Sequence, residues 1–119
     1  MIRTTTPRDT PRPISESWRL SITLTQHMWR FFISYQDTRP EEMAPAARAA
    51  WETCNAIWKT RSEIDRGIIR EYHTIPKEAD HKEEVRKIGE SYMMSAELVM
   101  AFINDLYRKT AIKRGIADR

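Results

Sequence analysis

The chain is poor in the residues that most small folds and most enzymes lean on. Cysteine occurs once, at Cys54, so no intramolecular disulfide can form, and a reducing, cytoplasmic setting is expected. Glycine occurs three times in 119 residues, too few for a fold of many short strands joined by tight turns. No segment approaches the roughly 18 consecutive apolar residues that would cross a bilayer, and the opening MIRTTTPRDTPRP has no apolar core of a secretory signal. Only three histidines are present, His27, His73 and His81, and none shares metal-ligand spacing with a second His, Cys or carboxylate pair. A Gly-rich phosphate loop and a nucleophile elbow are both missing. The expectation is a non-enzymatic domain without metal or cofactor.

What is there is charge and helical periodicity. Hydrophobic residues make up 40% and charged residues 31%, the balance of a folded chain with a highly charged surface. The formal net charge of +3 is unevenly spread. Arg3, Arg8 and Arg12 against Asp9 put residues 1–12 at +2; Arg108, Lys109, Lys113, Arg114 and Arg119 against Asp118 put residues 108–119 at +4; the body between is left at −3. Basic ends suit phosphate contact. Lysine and arginine at the end of a last helix also complement its dipole.

Pro7, Pro11 and Pro13 among Thr and Arg predict a flexible basic arm over residues 1–13. Residues 14–114 read as one helical domain and 115–119 as a tail. The fold class is all-α, with three long helical regions in a bundle. The first runs from Ser15 or Ser17 to Tyr35, with Trp18, Ile22, Trp29, Phe32 and Ile33 on one face and Leu20, Leu24, Met28, Phe31 and Tyr35 on a second. Apolar on two sides, it should touch at least two partners. Residues 20–25 alternate apolar and polar with period two, a strand signal that has no partner strand.

The second region starts at Pro45 and keeps helical spacing to about Tyr72. No large apolar residue falls between Thr60 and Glu63, and Ser62 with Asp65 three residues on can cap a new helix there. The third begins after Asp80, a cap with Glu83 at its third helical position, and runs to Lys113 with Gly115 as its terminator.

Within the third region, Val85–Phe102 supports two readings. Val85, Ile88, Tyr92, Ser95, Val99, Phe102 and Leu106 form the 3,4-spaced seam of one unbroken packing helix. The same stretch fits a helix-turn-helix. There Ile88 and Tyr92 face the core, Gly89 lets the helices approach, Met94 plugs the turn, Ser95 caps the second helix and Val99 and Phe102 lock it down.

The stretch SEIDRGIIREY, a connection and then EEVRKIGESYMMSAELVMAFINDLYRK resembles the C-terminal helix-turn-helix region of bacterial sigma factors, and the small phage and mobile-element regulators that share that fold. Ile88, Gly89 and Glu90 fall on the family's Ile-Ala-Glu positions, Ser95 on its cap and Val99 on its buried valine. The match covers about 45 residues and leaves the first helix unexplained. It implies a small transcription regulator that binds duplex DNA. Ser95, Glu97 and Asn104 would then stand at the groove, and Arg108, Lys109, Lys113 and Arg114 on the backbone. Two positions depart from the pattern. Met93 stands where the turn usually has Gly. Ala96, Glu97, Met100 and Ala101 offer none of the usual base-edge partners.

The alternative is a helical bundle that binds and inhibits or scaffolds another protein, for instance a phage-type inhibitor of a host defence complex. Trp18, Trp29, Trp51 and Trp58 are its candidate anchors. Self-association is left open, and no membrane partner is expected. A third, distant reading comes from Arg66 and His73, separated by six residues. That spacing resembles the Arg-to-His spacing of HEPN-type ribonucleases, and implies an RNA-cutting pair. Cys54 falls in the apolar stripe and reads as a small core residue.

Overall fold

The computed structural model describes the backbone of residues 16–115 and the side chains of residues 22–115. The predicted arm over 1–13, the tail from 116 and the side chain of Trp18 lie outside the described residues. Between them the chain is all-helical, in five helices rather than three long regions: α1 (Glu16–Ser34), α2 (Pro45–Trp58), α3 (Glu63–His73), α4 (His81–Ser91) and α5 (Ala96–Arg114), with a short 3-10 turn at Pro40–Glu42. No strand occurs among the described residues, and the alternating stretch at 20–25 is helical. No helix among them is long and apolar enough to cross a membrane.

The two extra boundaries sit where local chemistry favours them. Ser62 is the N-cap of α3, its hydroxyl accepting the Asp65 N–H at 3.1 Å. Asp80 does the same for α4, accepting the Glu83 N–H at 3.4 Å. Ser95 caps α5, accepting the Leu98 N–H at 3.1 Å. Gly115 ends α5 in the left-handed region at φ 84°.

Helix α1 packs against α2, α3 and α5, and α5 packs against α1, α2 and α4, so these two helices hold the bundle together. The core between them is aromatic. Trp29 meets Phe32 edge-on at 5.5 Å, and Phe32 lies 5.4 Å from Trp51 and 5.6 Å from Trp58. Cys54, Ile68, Ile69, Val99, Ile103 and Leu106 fill the remainder. The internal face of α1 takes residues from both expected stripes. Thr25, Met28, Trp29 and Phe32 are buried, while Leu24 and Tyr35 face outward.

The polar side chains in the core between α1, α3 and α5 are paired, as burial requires. The Trp29 indole N–H donates to Thr110 Oγ1 at 2.9 Å, and that hydroxyl donates to the Leu106 carbonyl at 2.6 Å. His73 Nδ1 lies 2.7 Å from the Ile69 carbonyl, which can only accept, so Nδ1 carries the proton. Nε2 then accepts from the Tyr107 hydroxyl at 2.8 Å. Burial holds the His73 pKa down to about 4, so the ring is neutral.

Candidate nucleic-acid interface

Between α4 and α5 the chain turns. Met93 has φ 59°, the one positive φ outside glycine among the described residues. The Met94 N–H reaches back to the Gly89 carbonyl at 2.8 Å and the Met93 N–H to the Glu90 carbonyl at 3.4 Å. This is a Schellman termination with Met93 at the left-handed position. Gly89 is needed beneath it: a Cβ there would press into the Met94 carbonyl oxygen well inside contact distance. The unbroken-helix reading of Val85–Phe102 is therefore corrected. Its 3,4 seam survives across the break because Val85, Ile88, Val99 and Leu106 are buried in one core from both sides of the turn.

Helix α3 completes a three-helix unit. Tyr92, at the end of α4, lies over Gly67 of α3, where a Cβ would collide with the phenol oxygen. Its hydroxyl donates to Glu71 Oε2 at 2.6 Å. That bond to a carboxylate is the main reason the Tyr92 pKa is raised.

The outward side of α5 begins at the Ser95 cap and carries Glu97, Ala101, Asn104 and Arg108, all exposed, at spacings that keep them in one line. Glu97, Ala101 and Asn104, together with Ala96 and Met100, face the first turns of α4. There His81, Lys82 and Val85 complete a groove of about 440 Å3. His81 is steadied by a 3.0 Å hydrogen bond between its Nε2 and the Tyr72 hydroxyl. The groove's floor is apolar, and its polar chemistry is the Asn104 amide, the Glu97 carboxylate and the two basic α4 residues at the end.

The basic residues expected on a DNA backbone do not share this face. At 3.6 residues per turn, Lys109 and Lys113 stand about 100° and 140° around the helix from Arg108, and Arg114 about 120° the other way. Arg108 and Lys109 both grip Asp105, at 2.7 Å and 3.0 Å, which holds that carboxyl below its ordinary range, the Lys109 bond contributing most. Lys109 and Lys113 line a second cleft with Ala56, Ile57, Thr60, Arg61 and Asp65. So Glu97, Asn104 and Arg108 share one line, Ser95 stands off it as the cap at the start of α5, and Lys109, Lys113 and Arg114 flank the line. Sequence reasoning passed over His81, Lys82 and Arg61. The basic character of Lys82 beside a helix start was the only signal for the first two.

Trp29, Trp51 and Trp58 are corrected as partner anchors, because all three are buried in the core. Trp51 donates its indole N–H to the Tyr35 carbonyl at 3.0 Å. Trp58 carries the guanidinium groups of Arg66 and Arg70 over its ring at 5.4 Å and 5.3 Å. Among the described residues, the large apolar side chains that are exposed are Leu24, Tyr35, Ile64, Met93, Leu98 and Ile112.

The Arg66–His73 pair is occupied elsewhere. Arg66 donates to the carbonyls of Trp58 and Lys59 at 3.1 Å and 3.4 Å, and His73 is a buried, neutral core residue rather than a surface one. Neither is poised for proton transfer to a phosphodiester. Cys54 is fully buried, and desolvation pushes its thiol pKa up. No group of three His, Cys, Asp or Glu side chains among the described residues could hold a metal ion. No family model, curated protein or solved structure matches the chain.

Proposed function

We propose that this chain is a small DNA-binding regulator of the sigma-like helix-turn-helix type, with α5 as the helix presented to the major groove. The observation that carries the reading is the α4–α5 turn. A left-handed Met93, a glycine under the Met94 carbonyl and a capping Ser95 interlock two helices with an outward line of Glu97, Ala101, Asn104 and Arg108. Asn104 would supply a two-sided amide for a base edge, and Arg108 a guanidinium for a base edge or phosphate. Lys109, Lys113 and Arg114 would meet phosphates along the flanks. Ala96, Glu97, Met100 and Ala101 add little base-edge chemistry, so phosphate contact should supply most of the affinity and sequence preference should be weak.

The reading is tested by fluorescence-anisotropy titration of a labelled duplex with Ala101→Glu and with Asn104→Ala plus Arg108→Ala. Ala101 is exposed, so Glu there leaves the fold intact and places a second carboxylate beside Glu97. Both variants should weaken duplex binding, Ala101→Glu the more. Unchanged binding in both would remove α5 from the interface.

One observation favours a second reading, docking of another protein. The groove formed by Val85, Ala96, Met100 and Ala101 is apolar where a base-reading face is normally polar. Ala101→Lys separates the two. It adds a cation toward DNA and should tighten duplex binding, whereas a protein docked in the apolar groove would be displaced by it.

A further inference from the structure

The second cleft sits where the end of α2, the start of α3 and the last turns of α5 converge. Its volume is about 440 Å3, and its walls carry Arg61, Lys109 and Lys113 against one carboxylate, Asp65. Arg61 is the unusual member. Its side chain is 16% exposed, and its Nε is buried with no hydrogen-bond partner. The guanidinium lies over the Phe102 ring at 5.8 Å, and its nearest charge is Asp65 Oδ2 at 3.9 Å, beyond hydrogen-bond distance.

A guanidinium has five N–H donors, and a mostly covered one normally finds acceptors for several of them. Arg66 and Arg86 make two or more such bonds here, and Arg48 and Arg108 one each. Arg61, held by ring and packing, donates none to an acceptor among the described residues. Lys113 makes no ion pair among the described residues either, and Lys109 shares Asp105 with Arg108. Thr60, exposed at the rim, donates its hydroxyl to the Ile57 carbonyl at 2.7 Å and receives no hydrogen bond from Arg61.

We propose that this cleft is a phosphate-binding site, in which Arg61 supplies a fixed fork and Lys109 and Lys113 close on the anion as mobile point charges. A phosphate fits the chemistry because its oxygens accept from a guanidinium two at a time while leaving acceptors for the ammonium groups. The site deepens the DNA reading and rests on it only for the source of the anion, which would there be a backbone phosphate on the α2–α3 flank of α5. A free phosphate or the phosphate of a small metabolite presents the same oxygens.

Two arms distinguish the sources. In the first, inorganic phosphate is titrated into the 15N-labelled full chain at constant ionic strength, with chloride as the reference. The Arg61 Nε–H and the amides of residues 60–65 and 109–113 should shift with phosphate and not with chloride. Arg61→Gln should abolish the effect, and Lys113→Gln, an exposed substitution that leaves the core untouched, should weaken it about fivefold. In the second arm, Lys113→Gln should make the salt dependence of duplex binding shallower by about 0.9 in log–log slope. Phosphate shifts no larger than those of chloride overturn the site, even if duplex binding is intact. Phosphate shifts in a protein that binds no duplex uphold the site with a free phosphate or phosphorylated small molecule as its source, and sink the DNA reading instead.

Discussion

Met93→Gly should stabilise this protein, and the sign of the change reports directly on the turn. Met93 holds φ 59° with its side chain 95% exposed, so removing the side chain forfeits almost no buried surface. A left-handed conformation costs an L-residue about 1–2 kcal/mol, from the approach of Cβ to its own carbonyl. Glycine is free of that clash but gains freedom in the unfolded chain, which takes back roughly 0.5–1 kcal/mol. The net expectation is a gain of about 0.5–1 kcal/mol, or a rise of about 2–5 °C in Tm for a domain of this size. Were α4 and α5 one continuous helix, the same substitution would lower stability by roughly 1 kcal/mol. Urea unfolding followed by tryptophan fluorescence measures it, because Trp29, Trp51 and Trp58 are buried in the folded state. A midpoint that moves down refutes the turn and everything built on it.

Gly89→Ala should run the other way: despite alanine's better helix propensity, its Cβ meets the Met94 carbonyl and should cost roughly 1–3 kcal/mol in the same urea assay, whereas a gain would mean that the turn is not tight. Stability should also fall in mild acid. The His73 pKa is held down to about 4 by burial, against 6.5 for an ordinary histidine, so the unfolded chain binds a proton that the folded chain refuses. That contribution is complete above pH 6.5 and is lost as pH falls toward 4, roughly 3 kcal/mol across the window. In His73→Gln, thermal melts between pH 7 and pH 4 should show a smaller drop, and an equal drop would contradict the assignment. Cys54 should resist a thiol reagent in native buffer and react on addition of denaturant, because it is buried and its pKa is raised. Rapid labelling of the native chain would mean that the α2 face is not packed as described.

Helix ends were the most legible part of this chain, because a cap is a local interaction. Ser62, Asp80, Ser95 and Gly115 could all be picked out from a few neighbouring residues, and each forms the expected termination. The number of helices was harder to read. The α2–α3 break showed as a gap in the apolar spacing at Thr60–Glu63 with Ser62 as a cap, but through Met93 the spacing runs on, since a tight turn keeps the residues on either side facing the same core. Methionine in place of glycine hid the second break, as its strain is tolerated rather than signalled. The tryptophans misled for a different reason: whether an indole anchors a partner or a core depends on helices far away in sequence, such as α5, whose Thr110 receives the Trp29 N–H. The partner of His73 is equally remote in sequence, Tyr107 being 34 residues on. Of the candidate site, Ser95, Glu97 and Asn104 were named through the family resemblance, and helical period alone puts Glu97, Asn104 and Arg108 on one line. The cleft around Arg61 was not, because it needs three helices to exist.

The most direct test of the account is the affinity of the full chain for duplex DNA as a function of salt. With Arg108, Lys109, Lys113 and Arg114 meeting phosphates, log Kd should rise with log salt at a slope of about 3.6, so that binding seen at low salt is largely lost near physiological salt. No duplex binding at low salt, or binding that salt leaves unchanged, would contradict the assignment of α5 to DNA.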